Sequence, residues 1–182
     1  MTGPKRVTVL SDGIRGHEHQ SMGVALWLSR LSGAEVLKIE IPRLSGARRF
    51  LMIKLSARRL SGASPDEARR WLTASGFDTD SMTAGPDTLF ISAGSSAAPF
   101  CLALSRLTGG KSAVLMTPPV LGVKPFDFAI VPEHDRPAGG ANVLVTLGAP
   151  NHIYIPELKA EAEKLFAPLR PQIGRASCRE RV

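Results

Sequence analysis

The stretch VTVLSDGIRGHEHQSMGVALWL, residues 7–28, runs from a short apolar segment through a turn rich in glycine and histidine into a helical pattern. The segment RVTVL (residues 6–10) predicts one strand, and AEVLKIEI (residues 34–41) predicts another. Between them a helix is expected to begin near Gln20. Four apolar residues there follow the i, i+3, i+4, i+7 spacing of one helix face: Val24, Trp27, Leu28 and Leu31. The stretch therefore predicts a β-α-β unit.

The rest of the chain continues this alternation. One helical pattern covers residues 47–60, and a second opens with Ser64 as N-cap, Pro65 in the first turn and Glu67 three residues after the cap. The run TLFISAG leads into a helix expected over residues 97–107, and SAVLM, FDFAIVP and NVLVTLG are further strand candidates. Strands that alternate with helices predict an α/β fold, a Rossmann-like parallel sheet with helices on both faces.

The last ten residues of the chain, IGRASCRERV (residues 173–182), are interpreted as translated read-through of a sequencing adapter joined to an interrupted gene. They contain three arginines and one glutamate, so the remaining residues carry 20 basic and 15 acidic side chains, a net charge of +5 instead of +7. We expect residues 1–172 to form a single Rossmann-like domain that is truncated before a second domain.

The composition favours a cytoplasmic protein. A hydrophobic content of 43% over roughly 170 residues is enough for one domain with its own core. No apolar run approaches the roughly 20 residues of a membrane span, and the N-terminus has no signal-peptide pattern. Cys101 lies within an apolar helical pattern, which favours a small core residue over a reactive thiol.

Polar and glycine-rich segments follow the predicted strands: SDGIRGHEHQ, SAGSSAAP, PEHD and GAPN. The carboxyl ends of parallel strands meet at one edge of a sheet, where ligands bind. Loops in general favour such residues, but the run Glu133–Asp135 is more polar than a turn requires. We therefore predict one ligand cleft, built from ten residues: Gly13, Gly16, Gln20, Gly94, Ser95, Ser96, Glu133, His134, Asp135 and Asn151.

The first of these segments contains a G-x-x-G-H motif made by Gly13, Gly16 and His17. This motif is neither the dinucleotide fingerprint nor a Walker A loop, so no bound cofactor is implied. Glycines let backbone amides approach a ligand, and a helix N-terminus favours anionic or polyhydroxyl groups. In the second segment, Ser95 or Ser96 is expected to be the N-cap of the next helix, which is an ordinary alternative to a binding loop.

His17 is the candidate catalytic residue. An imidazole titrates near neutral pH, so a histidine in the first loop of the sheet suits a general base. His19 and His152 are expected to face solvent or to form hydrogen bonds. The histidines and carboxylates include residue types that bind metals, but their spacing matches no known site, and we predict no metal.

The segment ARRFLMIKLSARRL (residues 47–60) has two faces at helical spacing. An apolar stripe is expected to enter the core: Phe50, Ile53, Ala57 and Leu60. Basic residues occupy the other side, interleaved with Leu51, Met52 and Leu55: Arg48, Lys54, Arg58 and Arg59. Apolar residues among cations are typical of contact with an anionic membrane surface; a solvated basic face is the open alternative. Few aromatics and no nucleic-acid-binding module argue against a nucleic-acid partner.

Four quoted stretches resemble the bacterial members of the mitochondrial-fission (elongated-mitochondria) family: SDGIRGHEHQSMGVA, ISAGSSAAPFCLAL, PFDFAIVPEHD and NVLVTLGAPN. The similarity covers about residues 5–165. The chain departs from the commoner family pattern at Ile14 and Arg15, and at Ser95 and Ser96, where paired basic residues are often seen.

The resemblance implies a GT-B type glycosyltransferase architecture with a Rossmann-like domain in each half. This chain would be the N-terminal, acceptor-side half, with the nucleotide-sugar half missing and His17 near the acceptor hydroxyl. The partners of the full-length protein would be a nucleotide-sugar and an acceptor at the inner face of the membrane, and the fragment by itself is expected to be inactive. The alternative is a non-catalytic membrane-associated scaffold of the same fold.

Overall fold

One sheet of six parallel strands organises the chain, for which this computed structural model describes residues 3–80 and 82–167. The spatial order is β2-β1-β3-β4-β5-β6, and every neighbouring pair is parallel. The strands are β1 (Arg6–Ser11), β2 (Glu35–Glu40), β3 (Thr88–Ala93), β4 (Lys111–Leu115), β5 (Phe128–Pro132) and β6 (Val143–Thr146). The predicted α/β, Rossmann-like fold is therefore confirmed.

The helices connect these strands. They are α1 (Arg15–Ser32), α2 (Gly46–Arg49), a π-helix (Phe50–Ser56), a 3-10 helix (Ala57–Gly62), α3 (Pro65–Ala74), α4 (Gly94–Thr108), a short 3-10 turn (Glu133–Asp135) and α5 (Ile155–Phe166). Residues up to His152 form one compact unit, and α5 belongs to a second, which begins at Ile153. The interpretation of residues 173–182 as adapter-derived lies outside the described residues.

Two apolar clusters cover the two faces of the sheet. Alternate residues of β3 point to opposite faces, so Leu89 and Ile91 belong to the cluster that includes Ala25 of α1, whereas Phe90 belongs to the cluster on the α3 and α4 side. Cys101 is fully buried in the second cluster, as predicted, and burial raises the pKa of its thiol to about 12. A thiol in this environment is an inert core residue.

The predicted capping box of α3 is confirmed. The Ser64 hydroxyl accepts a hydrogen bond from the Glu67 N–H, and the Glu67 carboxylate accepts one from the Ser64 N–H at 2.8 Å. These contacts hold the pKa of Glu67 below its usual range. Gly76 has a φ of +84°, the left-handed geometry that ends many helices.

The prediction for the core face of α1 is wrong in part. Trp27 is about half exposed and Leu31 is 80% exposed, whereas the buried residues are the small Ser21, Gly23 and Ala25. Small residues let the helix approach its neighbours closely, and a Cβ on Gly23 would overlap the backbone of Asn151. Close packing of the backbones therefore decides which face of α1 is buried.

The apolar stripe predicted for residues 47–60 is corrected at two positions. Ile53, Ala57 and Leu60 are buried as predicted, but Phe50 is 58% exposed and Met52 is buried. The spacing rule assumes 3.6 residues per turn, whereas residues 50–56 form a π-helix, whose wider turn rotates successive side chains away from that pattern. Leu51 and Leu55 are exposed, as predicted.

Asp127, the residue before β5, accepts hydrogen bonds from β4, and this contact makes the stability of the fold depend on pH. Burial opposes its ionisation, but hydrogen bonds from the Lys111 ammonium (2.8 Å) and from the Ser112 N–H and hydroxyl (2.9 Å each) outweigh burial and lower its pKa. In the unfolded chain the carboxylate takes up a proton near pH 3.9, whereas in the folded chain it stays ionised to lower pH.

The contribution of Asp127 to the free energy of unfolding is therefore fully present above about pH 4. It is lost as the pH falls through the lowered pKa that Asp127 has in the folded chain. We expect Asp127→Asn to flatten the decline of unfolding free energy in acid, measured by urea denaturation between neutral and acidic pH. Asp80→Asn is the control, because that side chain is 93% exposed. Equal acid profiles for the wild type and Asp127→Asn would contradict the prediction.

Candidate functional site

A cavity of about 450 Å³ lies at the carboxyl edge of the sheet. Its lining combines residues from the segments that follow β1, β3 and β5, namely His17, Gly94, Ser95 and Asp135, with the last residue of β4 and the four residues after it, 115–119. Residues far apart in the chain thus share one cavity, because every strand of a parallel sheet ends at the same edge.

Both helices at this cavity begin earlier than predicted. Helix α1 starts at Arg15 and not near Gln20, so Gly16 and His17 lie in its first turn. The side chain of Asp12 accepts a hydrogen bond from the Ile14 N–H at 3.1 Å, which completes the turn before the helix. The loop is therefore shorter than the sequence indicated.

Helix α4 begins at Gly94, directly after β3, and its N-cap is Ala93. The prediction that Ser95 or Ser96 is the N-cap is wrong, because Gly94, with a φ of +81°, turns the strand straight into the helix. Among the residues that the structure describes, no side chain caps the N-terminus of α1 or of α4. First-turn N–H groups and the positive end of the helix dipole face the same edge of the sheet.

The strongest geometric feature beside the cavity is the contact of Asp12 with His17, the residue of this pair that lines the cavity. The His17 Nδ1 lies 2.9 Å from the Asp12 Oδ2, with the Asp12 side chain 6% exposed and the His17 side chain 27% exposed. The carboxylate holds the ring in place and favours the proton on Nδ1, which leaves Nε2 as the basic nitrogen. An imidazole oriented by a carboxylate is the arrangement of a general base.

Gly94 sets the position of the His17 ring. A Cβ at Gly94 would overlap the ring carbon Cε1 and would lie 2.9 Å from Nε2, so the ring rests directly on the glycine backbone. The sequence predicted that both residues lie near the cleft, but not that they touch.

Asp12 was missed by the sequence analysis, which treated it as one polar residue of a turn. Its position could have indicated a role in the site, because Asp12 directly follows the last residue of β1 and precedes His17 by five residues. The neighbouring Ser11 hydroxyl accepts a hydrogen bond from the Gly13 N–H at 3.2 Å. The Gly13 amide, which was expected to face a ligand, therefore already has a partner within its loop.

A second cavity of about 350 Å³ adjoins the N-termini of α1 and α4. It is lined by Arg43 and Arg49, which were not among the residues predicted for the cleft. Arg49 donates a hydrogen bond to the Ser96 hydroxyl at 3.3 Å, and Asp12 and Gly13 also line the cavity. Arg49, from the segment after β2, thus places a positive charge beside the first turn of α4, where Ser95 and Ser96 are uncharged.

The remaining predicted ligand residues are less closely associated with the cavity. Glu133, His134 and Asp135 are all exposed, and Asp135 also lines the cavity; the His134 Nε2 lies 3.5 Å from the Asp135 Oδ1. The Gln20 Oε1 is buried and has no hydrogen-bond partner among the described residues. The backbone of Asn151 packs against Gly23. Ligand binding by these residues stays a prediction.

Within residues 3–80 and 82–167, no three His, Cys, Asp or Glu side chains form a group that could hold a metal ion. In the same residues, no helix is long and apolar enough to cross a membrane. The cytoplasmic location stays a prediction.

Comparison with known protein families gives a match. The family model described as Mitochondrial fission ELM1 matches residues 15–175. No curated protein and no solved structure matches the chain.

Proposed function

The chain belongs to the mitochondrial fission ELM1 family, and from this premise we propose that it is the acceptor-side half of a GT-B type glycosyltransferase. The observation that carries the proposal is the contact of Asp12 with His17, the residue of the pair that lines a cavity at the carboxyl edge of a parallel sheet. A general base at this position suits the activation of a hydroxyl group.

In the proposed reaction, an acceptor hydroxyl donates its proton to the His17 Nε2. The freed oxygen lone pair forms a bond to the anomeric carbon of a nucleotide-sugar. The bond from that carbon to the diphosphate breaks, and its electron pair leaves with the nucleoside diphosphate. His17 is the catalytic residue in this scheme, and Asp12 is a positioning residue, because it acts through the ring that it orients.

Negative charge develops on the leaving diphosphate, and the surroundings of the cavity favour such charge. The N-termini of α1 and α4 carry N–H groups without side-chain caps, and Arg43 and Arg49 lie in the adjoining cavity. Stabilisation by dipoles and guanidinium groups needs no metal ion. The nucleotide itself would be bound by the second half of the enzyme.

The test uses the full-length gene product that contains this chain. It is incubated with a panel of radiolabelled nucleotide-sugars and a bacterial lipid extract, and both sugar incorporation and nucleoside diphosphate release are measured. We expect transfer from one donor, and a rate about 10²-fold lower for Asp12→Asn, since mutation of a group that orients a reactive residue has effects of this order.

The alternative, a non-catalytic scaffold, predicts a different result. In that case no donor in the panel releases nucleoside diphosphate, and Asp12→Asn changes only stability. The completed sequence separates the two functions as well, since a second Rossmann-like half with a carboxylate placed to bind ribose favours the enzyme.

A further inference from the structure

The segment between β2 and α3 is strongly basic and carries exposed apolar side chains. Residues 41–65 contain six arginines or lysines and neither aspartate nor glutamate. On its π-helix, Phe50, Leu51 and Leu55 are each more than half exposed. We call these three residues the apolar patch. Large apolar side chains clustered among cations match the composition of an anionic membrane surface, which offers both charge and hydrocarbon.

The positive charge of this segment is not neutralised by the hydrogen bonds that hold it. Arg48 donates to the Ala74 carbonyl at 2.9 Å, Arg58 to the Val120 carbonyl at 3.3 Å, and Arg49 to the Ser96 hydroxyl. These acceptors are all uncharged, so none of these three hydrogen bonds offsets the positive charge of a guanidinium group with a negative one. The guanidinium groups are available for long-range attraction to anionic headgroups.

A further cavity of about 350 Å³ adjoins Phe50 of the apolar patch on one side and α4 on the other. Phe50, Ile53 and Lys54 line it on the side of the π-helix, and Ser95 lines it on the side of α4. Ser95 also lines the cavity that contains His17. The cavity beside the exposed Phe50 and the cavity beside the candidate base therefore share two lining residues, Ser95 and Pro119.

We propose that the acceptor is a membrane lipid and that the apolar patch and its cations bind the anionic bilayer from which this lipid comes. The acyl chain lies along Phe50 and Ile53, the anionic part of the headgroup near Lys54, and the hydroxyl group reaches past Ser95 to His17. The assignment of the lipid as acceptor rests on the proposed transferase function; the bilayer contact does not.

The bilayer contact is tested by sedimentation of the purified chain with vesicles of phosphatidylglycerol mixed with phosphatidylcholine. We expect the wild type to bind these vesicles and not pure phosphatidylcholine. Replacement of Arg48, Lys54, Arg58 and Arg59 by serine lowers partitioning at least about 20-fold, since each cation near such a surface contributes severalfold. The control replaces an equal number of exposed lysines, Lys5, Lys124, Lys159 and Lys164, and retains most of the binding.

The apolar contribution has its own matched pair of variants. Phe50→Ser with Leu51→Ser and Leu55→Ser is expected to lower partitioning at least about tenfold. The control is Leu31→Ser with Leu144→Ser and Leu147→Ser, which also removes three exposed apolar side chains but elsewhere on the chain. This control is expected to change partitioning into the vesicles little. Equal loss in both sets, or no binding by the wild type, overturns the bilayer contact.

The path from Phe50 to Ser95 is tested on the unmodified chain, which avoids any doubt about folding of a variant. Dihexanoyl phosphatidylglycerol, a soluble short-chain lipid, is titrated while backbone amide NMR signals are recorded. We expect shifts at Phe50, Ile53 and Ser95, and none of comparable size with glycerol 3-phosphate. Equal shifts with the head group by itself, or shifts elsewhere only, overturn the lipid path.

The lipid measurements need no turnover, so together with the transfer assay they separate the two proposals. Lipid binding at Phe50 and Ser95 without any transfer activity supports the bilayer surface and refutes the enzyme together with the acceptor role. Transfer to a soluble acceptor, with no lipid effect, supports the enzyme and refutes the lipid inference. Binding of a second copy or of a protein at the patch, detected by light scattering without vesicles, also refutes it.

Discussion

Replacing His17 with alanine is expected to lower turnover of the full-length enzyme by about 10²- to 10⁴-fold, the usual contribution of a general base. Its ring is held by Asp12 at 2.9 Å, with Nε2 left to accept the proton of the acceptor. The loss should appear in kcat as well as in kcat/KM, because proton transfer occurs in the transition state. The measurement is the initial rate of nucleoside diphosphate release.

A matched control lies on the same helix. His19 is exposed, and its ring meets that of His152 edge to face at 4.4 Å. His19→Ala therefore removes an imidazole two residues away without touching the pair, and its turnover should stay close to that of the wild type. A fully active His17→Ala enzyme would return His17 to a structural role and remove the observation on which the proposed function depends.

The double variant of His17 and Asp12 gives a stricter test. If Asp12 acts only by orienting the ring, Asp12→Asn should have little further effect once His17 is alanine. Additive losses would show that Asp12 acts on the reaction independently, which would contradict its assignment as a positioning residue.

Gly94→Ala is expected to have the second large effect, on both stability and turnover. Gly94 has a φ of +81°, which costs a residue with a Cβ about 1 to 2 kcal/mol. The added methyl group would also overlap the His17 ring, so the ring must move away from Asp12. Because a displacement of about 1 Å can cost about 10² in rate, we expect a loss of that order in turnover.

Gly33 supplies the control that separates strain from overlap. It also has a positive φ, +73°, but a Cβ there meets no atom of the described part of the chain within 4 Å. Gly33→Ala should therefore lose stability in urea denaturation while keeping its turnover. Equal turnover for Gly94→Ala and the wild type would contradict the contact between Gly94 and His17.

The same contact can be tested by stability measurements, without an assay of activity. Removal of the His17 ring makes space for the new methyl group, so Gly94→Ala should destabilise the His17→Ala background less than the wild type. The difference between the two unfolding free energies is the coupling of a double-mutant cycle. No coupling would mean that the ring and the glycine do not interact.

The sequence predicted the class of the fold and the edge at which residues would meet. Apolar periodicity is a local property, so strands such as β1 and β3 could be assigned from short windows, and parallel order then places their following segments together. His17, Gly94 and Asp135 were therefore assigned to one cleft although they are distant in the chain.

Only the tertiary structure decided which side chains touch at that edge and which faces are buried. Three contacts depend on distances between separate elements, which no local pattern encodes. They are the contact of Asp12 with His17, the hydrogen bond from Arg49 to Ser96, and the contact of the His17 ring with Gly94. The exposure of Phe50 follows from a π-helix, whose turn departs from the 3.6-residue period on which the prediction depended. Periodicity determines which elements form, whereas packing between elements determines their side-chain environment.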